Sequence, residues 1–128
     1  MVSAREKGLA MVVVSGPGAV ERVVFGFASA LAATATGIDV RVFLTDEGAF
    51  WALLGTGTGS GEQVADFPTI DELLGELHVL GVDIEACTES LALQGDSIHG
   101  PRRLRPGIRE LGRDVLIREI GLLRSVVC

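Results

Sequence analysis

The chemistry this chain can offer gathers at one thiol. Cys87 stands in "GVDIEACTESLALQG", where an alternating apolar run ends and a helical pattern begins. A thiol just before a helix meets unpaired backbone N–H groups and the positive end of the helix dipole. Both favour the thiolate, which is the nucleophilic form. Thr88 or Ser90 is placed to cap that helix or to hydrogen-bond the sulfur. Glu85 and Glu89 act against it, since nearby negative charge disfavours thiolate. Strand alternation sends Glu85 to the same face as Cys87. The other reading of Cys87 is a small apolar residue filling a core, because cysteine is among the most buried residue types. Position alone leaves both readings open.

Two further segments follow strand-like runs and should share a rim with Cys87. "SGPGAVE" holds Gly16 and Gly18, a short glycine turn able to cradle a phosphate or carboxylate at a helix N-terminus. It is neither a P-loop nor a G-x-G-x-x-G motif, and a tight strand-to-helix turn is the plainer reading. Asp46 to Gly48 follows the second strand, with Phe50 and Trp51 beside it to wall a pocket or an interface, or to fill the core. "HGPRRLRPG" carries Arg102, Arg103 and Arg105, a set that suits an anion or an acidic partner, although a solvated loop is the plainer reading. His78 lies beside a leucine stripe, and His99 sits in that loop. Two lone histidines and two distant cysteines make no metal site. The acids show no pair with a catalytic spacing.

The elements that must position these residues are legible from pattern. "LAMVVVS" (Leu9–Ser15) is a continuous apolar run, as in a strand buried on both faces of a parallel sheet. Val20 to Thr36 reads as a helix, apolar nearly all round, stopped by Gly37, so more than one of its faces must be covered. "DVRVFLT" (Asp39–Thr45) is a second strand, and Asp46 to Gly55 a short helix with start and stop signals. Thr56 to Gln63 is a glycine-rich loop. Thr69 and Glu72 form a T-x-x-E capping box for the next helix, whose stripe is Ile70, Leu73, Leu74, Leu77 and Leu80, ended by Gly81. In "VDIEAC", Val82, Ile84 and Ala86 alternate with Asp83 and Glu85, which predicts a less covered strand nearer an edge. A short helix "TESLALQG", a strand in "IREL", a helix "RDVLIREIG" and a terminal strand "RSVVC" complete the chain. Strands alternating with helices predict an α/β fold with a mostly parallel sheet of about five strands.

The whole chain narrows the classes. Its 128 residues fit one domain, residues 1–128, with a real core. Residues 1–100 carry four Lys/Arg against fourteen Asp/Glu, and residues 101–128 carry seven Arg against three acids. An acidic body argues against nonspecific nucleic-acid binding, which needs a basic footprint. Two cysteines make no disulfide framework, and Cys128 is not expected to pair with Cys87. The apolar stretch Val23–Ala35 is shorter than the roughly 20 residues that span a bilayer. No membrane association is expected, and a cytoplasmic protein is the default.

Several of these pieces together resemble the DsrE/DsrF-like sulfur-relay family (DsrEFH, of the TusD and YchN type). They are the alanine-rich first helix ending "TGIDV", the strand "VRVFLT" running into "DEGAFWALL", the stretch "TIDELLGELHVLGVDIEAC", and "ACTESLALQG". The tail "GIRELGRDVLIREIGLLRSVVC" resembles the family's last strand, helix and strand. The most specific piece is the strand ending in A-C-x-x-S, followed by a short helix and glycine. The resemblance implies a three-layer α/β/α domain of flavodoxin-like architecture. It implies that Cys87 is the position that carries a persulfide, making the chain a sulfurtransferase-type carrier between sulfur donor and acceptor proteins. It also implies a homotrimer or homohexamer, in keeping with a first helix whose spare face needs a cover. Such a carrier needs an accessible thiol of lowered pKa, a shielding pocket and a docking surface. It calls for no cofactor and no metal. The alternatives are a non-catalytic module that binds a small ligand along Gly16, Gly18, Asp46, Trp51, Thr88 and Ser90, and a structural subunit of a DsrE-like oligomer.

Overall fold

A computed structural model of the chain describes residues 8–58, 66–94 and 103–128. His99, Arg102 and most of the glycine-rich 56–63 loop lie outside the described residues. Among the described residues, five strands form one sheet: β1 (Gly8–Val13), β2 (Asp39–Leu44), β3 (Asp83–Cys87), β4 (Arg109–Leu111) and β5 (Arg124–Val127). Their order is β4-β3-β2-β1-β5, and every neighbouring pair is parallel. Four α-helices of the described residues alternate with them: α1 (Val20–Ala35), α2 (Ile70–Val79), α3 (Thr88–Gln94) and α4 (Arg113–Gly121). A 3₁₀ helix, Asp46–Ala52, follows β2.

Local signals account for most of these elements. The capping box is formed: Glu72 N–H donates to Thr69 Oγ1 at 3.1 Å, and Thr69 N–H donates to Glu72 Oε1 at 3.4 Å. Gly37 and Gly81, with φ of +91° and +81°, terminate α1 and α2 in the left-handed region that glycine enters freely. The segment after β2 begins with a helical signal but winds more tightly, as a 3₁₀ helix. Asp46 opens it at a φ of +53°, and Gly48 presses so closely on the Val13 carbonyl that a Cβ there would collide with it.

Period-two alternation splits the core into two sides. Met11 and Val13 of β1, Val42 and Leu44 of β2, and Ile84 and Ala86 of β3 pack under α1 and α2. Ala10, Val12, Phe43 and Cys87 point the other way, toward Leu116 of α4. Connectivity explains the division. The chain steps from β1 through β4 in one direction and then returns across the sheet to β5. Right-handed crossovers therefore place α1 and α2 on one face and α4 on the other.

The two faces are held unequally. α1 buries Val23, Val24, Gly26, Phe27 and Ala30, and α2 buries Ile70, Leu73, Leu74 and Leu77. Leu116 is the one fully buried side chain of α4. Burying a single leucine stabilises by about 1.5–3 kcal/mol, so α4 is the most lightly anchored helix on the sheet faces.

Two expectations are corrected. β3 is not nearer an edge: it lies between β2 and β4. Its polar face is not solvated either, because Glu85 is 0% exposed and paired with Arg41 and Arg109. The alternation recorded a buried ion pair between strands and not a wet face. The apolar stretch of the first helix is also longer than its Val23–Ala35 heart. Pro17–Ala35, 19 residues, is long and apolar enough to cross a membrane by length and composition. In the fold it lies against the sheet, with Val23, Val24, Phe27 and Ala30 in the core.

Candidate functional site

All strands are parallel, so the carboxyl ends of β1, β2 and β3 open on one rim. The residues after them meet there. Gly16 lies against Glu47, Gly48 lies against Val13, and the Asp46 N–H donates to Ser90 Oγ at 2.9 Å. Trp51 Nε1 donates to the Ser15 carbonyl at 2.9 Å, which ties the 3₁₀ helix to the end of β1.

Cys87 is the last residue of β3 and directly precedes α3. Ser90, one turn into that helix, is buried, and its hydroxyl lies 3.3 Å from Thr45 Oγ1 at the end of β2. These hydroxyls govern the thiol. Burial pushes the Cys87 thiol up, but hydrogen bonds from the Ser90 hydroxyl and N–H, the Thr45 hydroxyl and the Glu89 N–H outweigh it and leave it below the usual thiol range. The Asp46 N–H strengthens the effect, because a hydroxyl that accepts one hydrogen bond is a better donor in the next. α3 has only seven residues, so these specific donors carry the stabilisation more than a long helix dipole does.

The two flanking acids behave differently from one another. Glu85 does share the thiol's face, but its carboxylate is engaged by Arg41 and Arg109. Glu89 does reach the sulfur: the thiol donates to its Oε1 at 3.8 Å, and the same oxygen accepts the Arg113 N–H at 2.8 Å. The Arg113 N–H is the chief cause that holds the Glu89 carboxyl below the usual range. The other cysteine is a contrast. Burial pushes the Cys128 thiol up, partly offset by Arg22. Its Sγ packs against Gly26 and donates to Met11 Sδ at 3.7 Å. Cys128 follows β5 and packs with the α1 side of the core, whereas Cys87 lies in the α4 side. Both are free thiols.

A DsrE/DsrF-like family model matches residues 7–95, which include Cys87, Thr88 and Ser90. The chain belongs to the DsrE/DsrF-like family. The solved structure of the YchN protein from E. coli is similar to this DsrE/DsrF-like chain, with a TM-score of 0.72 at 17% identity. The match covers 94% of this chain and 99% of that one, and at this identity it shows the fold. No curated protein matches the chain.

The remaining candidates of this DsrE/DsrF-like chain fall out as follows. Thr88 is exposed beside Cys87, and Gly18 is exposed on the rim at an open hollow lined by Pro17–Arg22. Trp51 is fully buried core, edge to face with Phe50 at 5.0 Å, and lines no pocket at the thiol. Arg105 corrects the solvated-loop reading. It is buried, its Nε donates to the Trp51 carbonyl at 2.7 Å, and its Nη atoms engage Asp71 and Thr56. It clasps the loop to the 3₁₀ helix and α2. A cavity of about 240 Å³ lies beside this clasp, lined in part by His78, Leu74, Ile84 and Pro106. It opens under α2, on the face away from Cys87. Thr45 is the site residue that pattern reading did not single out, because it reaches Ser90 only through the pairing of β2 with β3.

Ser90→Ala tests the hydroxyl network. A hydrogen bond to a charged acceptor is worth about 1.5 kcal/mol or more, roughly tenfold in thiolate fraction. A less acidic thiolate is intrinsically more nucleophilic, which returns about half of that on a logarithmic scale. Alkylation of Cys87 by iodoacetamide at neutral pH is therefore expected to slow about threefold, with its pH midpoint moved upward. A midpoint that stays in place would show that Ser90 does not act on the sulfur.

Proposed function

We propose that this DsrE/DsrF-like chain is a sulfur carrier of the sulfurtransferase type, with Cys87 as the residue that accepts sulfane sulfur and relays it. The observation that carries this reading is the set of hydroxyl and N–H donors from Ser90, Thr45 and Glu89 that favour thiolate at the carboxyl end of β3. In the accepting step the Cys87 thiolate attacks the terminal sulfur of a donor persulfide. A bond forms between Cys87 Sγ and that sulfur, the donor's S–S bond breaks, and the donor leaves as a thiolate. No external oxidant or reductant is consumed. The relay step repeats this with an acceptor thiolate as the attacking group.

Sulfur donor and acceptor proteins are the partners of this reading, and the cytoplasm is its place of work. The carrier is a homotrimer or homohexamer. Phe25 on α1 is 69% exposed and forms an apolar surface with Val126 of β5, the kind of face a second copy covers. Light scattering at micromolar concentration is expected to give a multiple of the 13.4 kDa chain, and a clean monomer would overturn the oligomer.

One observation favours the alternative of a non-catalytic subunit: Cys87 is 0% exposed. Mass spectrometry after incubation with polysulfide separates the two. The carrier gains one sulfur atom on the peptide that holds Cys87. A protein that gains none, or gains sulfur only at Cys128, is a ligand-binding or structural subunit.

A further inference from the structure

We propose that helix α4 is a lid over Cys87, and that Glu89 is a positioning residue that latches the lid while the thiol is unloaded and releases it when the thiol gains a sulfur atom. This rests on the carrier reading and says how a donor reaches a thiol that the fold encloses.

The need for movement follows from burial. Cys87 is 0% exposed, and a donor persulfide must bring its terminal sulfur into bonding contact with Sγ. Cys87 packs in one apolar cluster with Leu116 of α4 and with Ala10, Val12 and Phe43, and Leu111 stands beside it in β4. The sheet strands cannot part without breaking their ladders. α4 can lift, because Leu116 is its one fully buried side chain. Gly112, at its N-terminal cap, has open space on all sides of its Cβ position and suits a hinge.

The coupling sits in one carboxylate. Glu89 Oε1 accepts the Arg113 N–H at 2.8 Å, at the first turn of α4, and the Cys87 S–H at 3.8 Å. In its protonated resting form the unloaded thiol therefore helps hold Glu89 where it caps the lid. Loading takes the hydrogen off Sγ and adds a sulfur atom where the closed cluster has no free surface. Both changes favour the lifted helix. The other charges on this side do not compete for the sulfur: Glu85 is held by Arg41 and Arg109, and Glu119 of α4 pairs with Arg41 at 3.2 Å. That last pair keeps the far end of α4 in place while its first turn opens. Coupling of this kind is reciprocal, so whatever opens the lid also favours loading.

The test uses the full chain with Cys128→Ser, so that only Cys87 reacts. Methyl methanethiosulfonate supplies a stand-in for the persulfide: the Cys87 thiolate attacks its sulfenyl sulfur, a methylthio disulfide forms, and methanesulfinate leaves. Hydrogen exchange is then read at the Arg113 and Leu116 amides. Loading is expected to speed both by about tenfold while the β1 amides are unchanged. Glu89→Ala is expected to give fast exchange before loading, and only a small further rise after it, from the bulk of the added sulfur. Glu89→Gln, which still accepts the Arg113 N–H, is expected to stay slow before loading.

The lid is overturned by α4 exchange that ignores loading, by an equal rise in β1 that marks general loosening, or by a full loading response in Glu89→Ala. A thiol that the reagent never reaches overturns it as well. Failure of the lid is distinct from failure of the carrier. Sulfur uptake from polysulfide with no response in α4 sinks the lid alone. A normal α4 response with no uptake from polysulfide sinks the carrier alone.

Discussion

Cys87→Ser is expected to remove all sulfur loading from polysulfide, and Cys128→Ser to leave it intact. A serine hydroxyl at this site has no accessible anion near neutral pH, and an oxygen cannot form the S–S bond of a persulfide. The environments of the two thiols separate them further. Donors from Ser90, Thr45 and Glu89 leave Cys87 with a lowered pKa, whereas burial beside Met11 and Gly26 raises that of Cys128. The raised thiol is the poorer thiolate at neutral pH, and the attacking species is the thiolate. Intact-mass and peptide measurements on the wild type and both variants read the result directly. Loading that survives in Cys87→Ser would move the chemistry to Cys128, and the rim of β1, β2 and β3 would lose its claim to be the site.

The second large effect is structural. Arg41→Met is expected to destabilise the fold by about 3–5 kcal/mol, the cost of stranding a buried charge. Glu85 is 0% exposed, and Arg41 engages its Oε1 through both Nε and Nη2. Arg109, itself exposed, reaches Oε2 at 3.1 Å and cannot replace those contacts. The Arg41 guanidinium also lies 4.9 Å from the Phe43 ring centre. Burial works to lower the Arg41 pKa, but its bonds and charges to Glu85 and Glu119 win and raise it, as expected of a cation held by two acids. A loss of this size is a large share of the roughly 5–15 kcal/mol that holds a typical domain together. Urea titration measures it. Arg41→Met combined with Glu85→Leu should recover most of the loss, because removing both partners leaves no orphaned charge. A loss below about 1 kcal/mol in the single variant would mean that the pair behaves like a surface salt bridge.

What the sequence by itself determined is what depends on near neighbours. The unbroken apolar run of β1 marked a strand covered on both faces, and it lies between β2 and β5. The Thr69–Glu72 box and the glycines at 37 and 81 set the ends of helices, because caps involve groups within one turn of each other. Cys87 at a strand-to-helix junction was legible for the same reason, and the pieces around it carried the family resemblance. Tertiary structure decided everything that joins distant residues. The strand order places Thr45 beside Ser90, 45 residues away, and Arg41 beside Glu85, 44 residues away. It brings Arg105 to the Trp51 carbonyl, 54 residues away. Glu85 on an alternating strand reads the same whether it meets water or two guanidinium groups, because alternation reports only which face a side chain takes. Whether the thiol is open or closed is likewise absent from its neighbours, since it packs in one cluster with Leu116, in a helix reached only after the chain has crossed β4.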